Sequence, residues 1–313
     1  MTRSRWLLAL VIAVTAPFAV GFVLRFPWAH TLQAIGSADW ALLFSASLAN
    51  LASLGAKGWA WHLLLRPAAP HRWRSAETAT IVGAAVNSVS VSVSGEAARA
   101  QLVAARDDVP LAPALASLVW ARVVEAMALV ILLAVALLVL PGTQALHDVD
   151  LAVWGLLGAG LLGWRLGLAR RLLRRVPERW RFALALPEPA AGRAFLAAPL
   201  FLSAVNWVAQ WLTYHWTIAA THANASPVVS LAALVAANVG GAFRVTPGNV
   251  GVLQASLMVG LAAFGVPSDQ ALAAGLVLQA VQVVPVIGLG VALLGVHGFR
   301  RASAKRAGAV GAA

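Results

Sequence analysis

Two pairs of opposite charges stand three residues apart in mostly apolar surroundings: Glu96 with Arg99, and Arg122 with Glu125. On a helix that spacing puts both members on one face and within reach of each other. A charge inside a membrane span costs about 2.5–3.5 kcal/mol on insertion scales, so it faces a partner or water. Arg122 and Glu125 therefore either satisfy each other as a structural pair or line a cavity. Glu96 and Arg99 follow the polar run Asn87, Ser88, Ser90, Ser92, Ser94 and Gly95, and contact with a ligand is the expectation there. Arg244 is the only charged side chain between Arg193 and Asp269, and it precedes Thr246-Pro247-Gly248-Asn249-Val250-Gly251. Pro and Gly break one helix at that point, and the next begins with free backbone N–H groups. An arginine beside such an N-terminus suits a phosphate or carboxylate clamp. The alternative is an arginine snorkelling from an ordinary loop.

Other chemistries lack their residues. The chain has no cysteine, which excludes disulfides, thiolate nucleophiles and Fe–S clusters. His215 and His222 lie two helical turns apart with no acidic neighbour, so no metal is expected. There is no P-loop, dinucleotide fingerprint or HExxH, and Gly240-Gly241 has no strand context, so no cofactor is expected either. The thirteen tryptophans read as interface anchors and packing.

The elements that must carry these residues belong to a membrane protein. Of 313 residues 61% are hydrophobic and 11% charged, with a mean hydropathy of +0.82. A soluble domain carries about 25% charged residues, so a water-soluble globule is excluded. The net charge of +12 is almost all arginine, since Lys57 and Lys305 are the only lysines. These basic residues sit beside apolar spans, where cytoplasmic loops collect them. Nucleic acid is not an expected partner.

The basic segments orient the spans. Residues 6–24 read as an uncleaved first helix rather than a signal peptide, with Arg3 and Arg5 holding the N-terminus in the cytoplasm. Residues 40–65 cross back; Trp59, Trp61, Arg66, Arg72 and Arg74 mark the inner end, and Lys57 lies two turns inside it, able to snorkel. The next basic loop, Arg170 to Arg181, is also cytoplasmic, and spans 111–140 and 151–169 supply an even number of crossings between the two loops. Residues 78–93 therefore cannot cross alone. With 96–105 they form a re-entrant hairpin turning at 88–95, a backbone tolerated at membrane depth only where protein or a cavity surrounds it. After the linking helix and basic loop of 151–193, the pattern returns upside down: a span at 195–220, a pair at 228–242 and 250–264, a span at 271–296, and a basic cytoplasmic tail at 299–313. For this second pair, re-entrance is compatible with the limb lengths but not forced by them. Anchors such as Arg122 and Gln279 recur at a nearly constant offset between the two parts of the chain. The expected fold is thus an all-α polytopic bundle, one transmembrane domain with two inverted-topology halves at about 40–140 and 195–298, each with a re-entrant helical hairpin. Such folds bind ligands where discontinuous helices meet near the midplane.

Three runs carry a family resemblance: Asn87 with Ser94-Gly95-Glu96-Ala97-Ala98-Arg99; Leu118 to Glu125; and Thr246-Pro247-Gly248-Asn249-Val250-Gly251-Val252-Leu253-Gln254-Ala255. They resemble the transmembrane domain of lysylphosphatidylglycerol synthases, a family with many stand-alone flippase-like members, over roughly residues 40–298. The resemblance implies translocation of lipid between leaflets of the bacterial inner membrane, with both termini cytoplasmic. Glu96 and Arg99 match a Gly-Glu-x-x-Arg element, and Arg122 with Glu125 an arginine–acid element. Pro247, Gly248 and Gly251 match a Pro-Gly-Gly-x-Gly-x-x-Glu element. Asn249 replaces its second glycine and Gln254 its glutamate, and the proline usual before Gly95 is missing, which bears on any mechanism needing a second carboxylate. The expected headgroup-binding set is Glu96, Arg99, Arg122, Glu125, Arg244, Pro247, Gly248, Gly251 and Gln254. The partner is a phospholipid or lipid-linked substrate, and the chain is a transporter rather than an enzyme. The soluble synthase domain is absent from these residues, so lipid synthesis is not expected of them. A membrane-embedded transferase with Glu96 or Glu125 as base, a partner of a separate lipid-modifying enzyme, and homo-oligomerisation stay open as alternatives.

Overall fold

A computed structural model describes residues 28–90, 94–139, 193–242 and 246–310. The helix expected at 6–24, most of the linking stretch at 151–193, and Arg244 lie outside the described residues. Among those described there are nine α-helices and no strand: α1 (Trp28–Gly36), α2 (Trp40–Leu65), α3 (Trp73–Val89), α4 (Ser94–Asp107), α5 (Leu111–Val139), α6 (Ala197–Ala220), α7 (Pro227–Gly241), α8 (Val252–Ala262) and α9 (Ser268–Val310). Short 3-10 turns occupy Arg193–Leu196 and Pro247–Asn249.

Local chemistry sets several boundaries. Asp39 caps α2, its Oδ1 accepting the N–H groups of Ala41 and Leu42. Ser226 caps α7 by accepting the Val229 N–H at 3.3 Å, with Pro227 in the first turn. Nothing in the sequence pattern announces the small helix α1; Thr31 fixes it to α9 by donating to the Asp269 carbonyl at 3.3 Å. The tail expected after residue 299 is not a separate element, because α9 continues through it to Val310.

The element order repeats: a long helix, two shorter ones, a long one. Helices α6, α7, α8 and α9 follow α2, α3, α4 and α5 at a nearly constant shift, their first positions being 197 against 40, 227 against 73, 252 against 94 and 268 against 111. The equivalent helices α2 and α6 pack along each other antiparallel. Asp39 N–H donates to the Ala220 carbonyl at 3.0 Å at one end, and Thr213 Oγ1 to the Ala46 carbonyl at 3.4 Å further along. Their contact buries polar groups, among them Asn50, Ser53, Asn206 and Thr213. The pair is the centre of the bundle.

Outside it the usual globular pattern is reversed. Val119, Val123, Met127, Ile131 and Val135 recur every four residues on the exposed face of α5, while much of the interior is alanine. Small residues between helices and large apolar ones outside are what lipid surroundings select. Among the described residues, Leu111–Ala136 and Ser268–Gly295 are long and apolar enough to cross a membrane. Pro285 interrupts the second of these. Having no N–H, it leaves the Val281 carbonyl without its helical donor. The Asn50 amide of α2 fills the place, 3.5 Å from that carbonyl and 3.3 Å from that of Gln282, as intramembrane breaks require.

Candidate functional site

Helices α3 and α4 form one hairpin, and α7 and α8 another; the two tips touch. Gly248 N–H donates to the Ser90 carbonyl at 3.2 Å. Gly248 has φ +59, and a Cβ there would collide with the Ser88 carbonyl oxygen, so the contact needs glycine for both conformation and space. Gly83 and Gly95 likewise let α3 and α4 approach, a Cβ on Gly83 falling 2.7 Å from the Gly95 carbonyl oxygen.

Beside these tips, five charged side chains from three helices form an alternating chain. Lys57 of α2 reaches Glu125 Oε1 at 3.2 Å. Glu125 Oε2 takes Arg122 Nη1 at 3.0 Å. The other end of Arg122 pairs with Glu96 Oε1, and Glu96 Oε2 with Arg99 Nη1 at 3.1 Å. Three cations and two anions leave the chain with a net charge of +1. Glu77 of α3 sits in the notch that Gly55 and Gly58 leave on α2, within reach of the Arg99 charge but at ion-pair distance from no cation among the described residues.

The members differ in what they face. Arg99 is 3% exposed; its Nη2 donates to Thr80 Oγ1 at 3.1 Å, and its guanidinium lies 4.5 Å from the Trp61 ring centre. Trp61 is itself fixed by donating to Ser117 Oγ at 2.9 Å. Arg99 therefore anchors α4 to α2 and α3 and holds Glu96 in place. Lys57, Arg122 and Glu125 instead line a cavity of about 560 Å³ between the halves. Among the described residues its remaining polar lining is neutral: Asn50, Ser53, Asn87, Ser88, Asn206, Trp207, Gln210, Tyr214, Asn238, Asn249 and Gln282. Neither Glu96 nor Arg99 is among the lining residues.

The resembling elements thus divide. Glu96, Arg99, Arg122 and Glu125 come together. Pro247 and Gly248 form the turn at the second tip. Gly251 starts α8 with φ +84, its N–H held by Gln254 Oε1 at 2.7 Å, and Gln254 Nε2 reaches the Gly275 carbonyl at 3.3 Å. Gln254 so caps its own helix and ties it to α9, away from the large cavity. Lys57, which the sequence marks only as a snorkelling residue, joins the site. Its rarity and its place two turns inside a span were the available signal.

Contacts across the middle come in matched pairs. Asn50 donates to the Gln282 carbonyl at 3.3 Å, and Trp207 Nε1 to the Glu125 carbonyl at 2.8 Å. The step from donor Asn50 to donor Trp207 equals the step from acceptor Glu125 to acceptor Gln282 (207 minus 50, and 282 minus 125). The same shift carries Lys57 onto Tyr214, whose hydroxyl faces the Gln282 side chain as Lys57 faces Glu125. It carries Arg122 onto Gln279. The three charges that line the cavity, Lys57, Arg122 and Glu125, have uncharged hydrogen-bonding equivalents in the other half, Tyr214, Gln279 and Gln282.

The family described as lysylphosphatidylglycerol synthase TM region matches residues 6–290. The chain belongs to that family. Membership makes it a helical membrane protein connected with lipid handling, in agreement with the apolar exterior and the charge-lined interior. No curated protein and no solved structure matches it.

Proposed function

We propose that this lysylphosphatidylglycerol synthase TM family protein is a translocase that passes an anionic phospholipid headgroup through the bilayer. It works in the bacterial inner membrane, with both termini cytoplasmic, and performs no group transfer. The observation that carries this reading is the cavity of about 560 Å³, with Lys57, Arg122 and Glu125 in its wall, inside a bundle whose outer face is apolar. Five charges inside a membrane protein are expensive. Mutual pairing offsets most of that cost, and the surplus cation leaves room for one phosphodiester. Arg122 presents the wider access, with its side chain 43% exposed against 10% for Glu125, and its planar fork suits phosphate oxygens.

The two four-helix units are read as an inverted repeat related by an axis in the membrane plane, each with a re-entrant hairpin. Support comes from the antiparallel packing of α2 on α6, the repeated element order, and the paired contacts of Asn50 and Trp207. The touching tips of the two hairpins put irregular backbone beside a cavity, where a membrane protein tolerates it.

The test is leaflet exchange in vesicles holding purified protein and fluorescent anionic phospholipids, read by dithionite quenching. Exchange faster than in empty vesicles, lost in Arg122→Gln, is expected. Exchange at the empty-vesicle rate for every headgroup tried refutes translocation.

A further inference from the structure

Two smaller cavities adjoin the large one on the side of the second half. One of about 170 Å³ is lined by Asn87, Ser88, Ser90, Thr246, Gly248, Asn249, Gln279, Gln282 and Val283. The other, of about 130 Å³, shares Gly248, Asn249, Gln279 and Gln282 and adds Tyr214. Among the described residues neither has an ionisable group in its wall other than that phenol. Both share Asn249 and Gln282 with the charged cavity, so one ligand can reach from the cationic chain into the neutral space.

We infer that this neutral space is a second subsite, built to read an uncharged polyhydroxyl group attached to the phosphodiester; the inference rests on the translocase reading above. Amides and hydroxyls each donate and accept, which is what a polyol does and what an ammonium, a pure donor, does not. Lys57, Arg122 and Glu125 have become Tyr214, Gln279 and Gln282 at the same places in the repeat, so the backbone frame is kept while the charge is removed. Gln279 carries the sharpest sign. Its Nε2 donates to the Gly248 carbonyl at 2.9 Å, while its Oε1 is buried with no partner among the described residues. A buried acceptor left open costs about 1–3 kcal/mol, and a ligand hydroxyl satisfies it. An amine there has no carboxylate in the described wall to meet, and the +1 charge of the neighbouring chain repels it. The substrate class is therefore a monoanionic phospholipid ending in glycerol, inositol or another sugar, not an aminoacylated, cationic one.

The experiment measures binding to the purified full chain in detergent, by tryptophan fluorescence (Trp207 lines the large cavity), for four short-chain lipids and one soluble compound. The lipids are dihexanoyl phosphatidylglycerol, phosphatidylinositol, phosphatidic acid and phosphatidylethanolamine; the soluble compound is glycerol 3-phosphate. The two polyol lipids are expected to bind at least tenfold tighter than the other two. Gln279→Met should bring phosphatidylglycerol down to the phosphatidic acid value while leaving phosphatidic acid unchanged. Equal affinity for all four lipids in the wild type, or a loss in Gln279→Met that is uniform across them, overturns the polyol subsite and leaves the translocase reading standing. Glycerol 3-phosphate binding as tightly as phosphatidylglycerol overturns the lipid as its source. Absence of binding by any of the five removes both readings together.

Discussion

Removing Glu125 should harm this protein more than removing its partner Lys57, and removing both should harm it less than the two losses added. Glu125 is the only acidic partner of Lys57 among the described residues, at 3.2 Å, and the lysine side chain is only 20% exposed. Glu125→Gln leaves that cation unpaired and raises the chain of charges from +1 to +2. Breaking a buried pair in this way costs about 3–5 kcal/mol. Lys57→Met leaves Glu125 still held by Arg122 at 3.0 Å, so the loss is that of one charged hydrogen bond offset by one desolvation, about 1 kcal/mol. In Lys57→Met/Glu125→Gln the charge returns to +1, and Arg122 keeps Glu96. The double variant should lose about 2 kcal/mol, a coupling of about 2–4 kcal/mol between the two sites, overlapping the range of about 0.5–3 kcal/mol for residues in contact. Titrating mixed micelles with a denaturing detergent and following tryptophan fluorescence measures all three values. A double variant whose loss equals the sum of the singles to within about 0.5 kcal/mol shows the charges to be energetically independent and refutes the alternating chain.

Two other outcomes are expected by the same assay. Gly248→Ala places a methyl group on the Ser88 carbonyl oxygen at a residue with φ +59 and should cost more than about 1 kcal/mol; Gly288→Ala, where a Cβ meets nothing within 4 Å, should cost nothing or stabilise slightly. Arg99→Lys keeps the charge but cannot serve Glu96, Thr80 and the Trp61 ring together; a loss of about 2 kcal/mol is expected, and full stability in this variant would make Arg99 a simple counter-charge.

Much of this was legible in the residues. Glu96 with Arg99 and Arg122 with Glu125 declared themselves by a three-residue spacing inside apolar surroundings, and each pair is made as that spacing requires. What the spacing could not show is that the two pairs are joined, because the Arg122–Glu96 contact depends on how α5 lies against α4. Lys57 was visible as an oddity, but its partner sits 68 residues away, and only the packing of α2 on α5 reveals it. The constant offset between the halves was readable from sequence through alanine, leucine and Arg122–Gln279. The informative equivalences, Asn50 with Trp207 and Lys57 with Tyr214, pair residues of different type and became recognisable only through their matching partners. Gln254 stood out as a lost carboxylate; its use as a helix cap was hidden, since Gly251 offers no side chain and the bond runs to its backbone.

The tip-to-tip contact also bears on how the protein is made. Ser90 meets Gly248, which lies half the chain further on. At synthesis rates of about 5–20 residues per second, the first hairpin waits on the order of 10–30 s before its counterpart exists. Throughout that interval a serine-rich tip and a half-lined charged cavity stand open in a nascent membrane protein. The insertion machinery must shelter them, or water must follow them into the bilayer. A ribosome stalled between the halves would leave a fragment whose most polar surface has nothing to rest against, which marks it for quality control rather than for partial function.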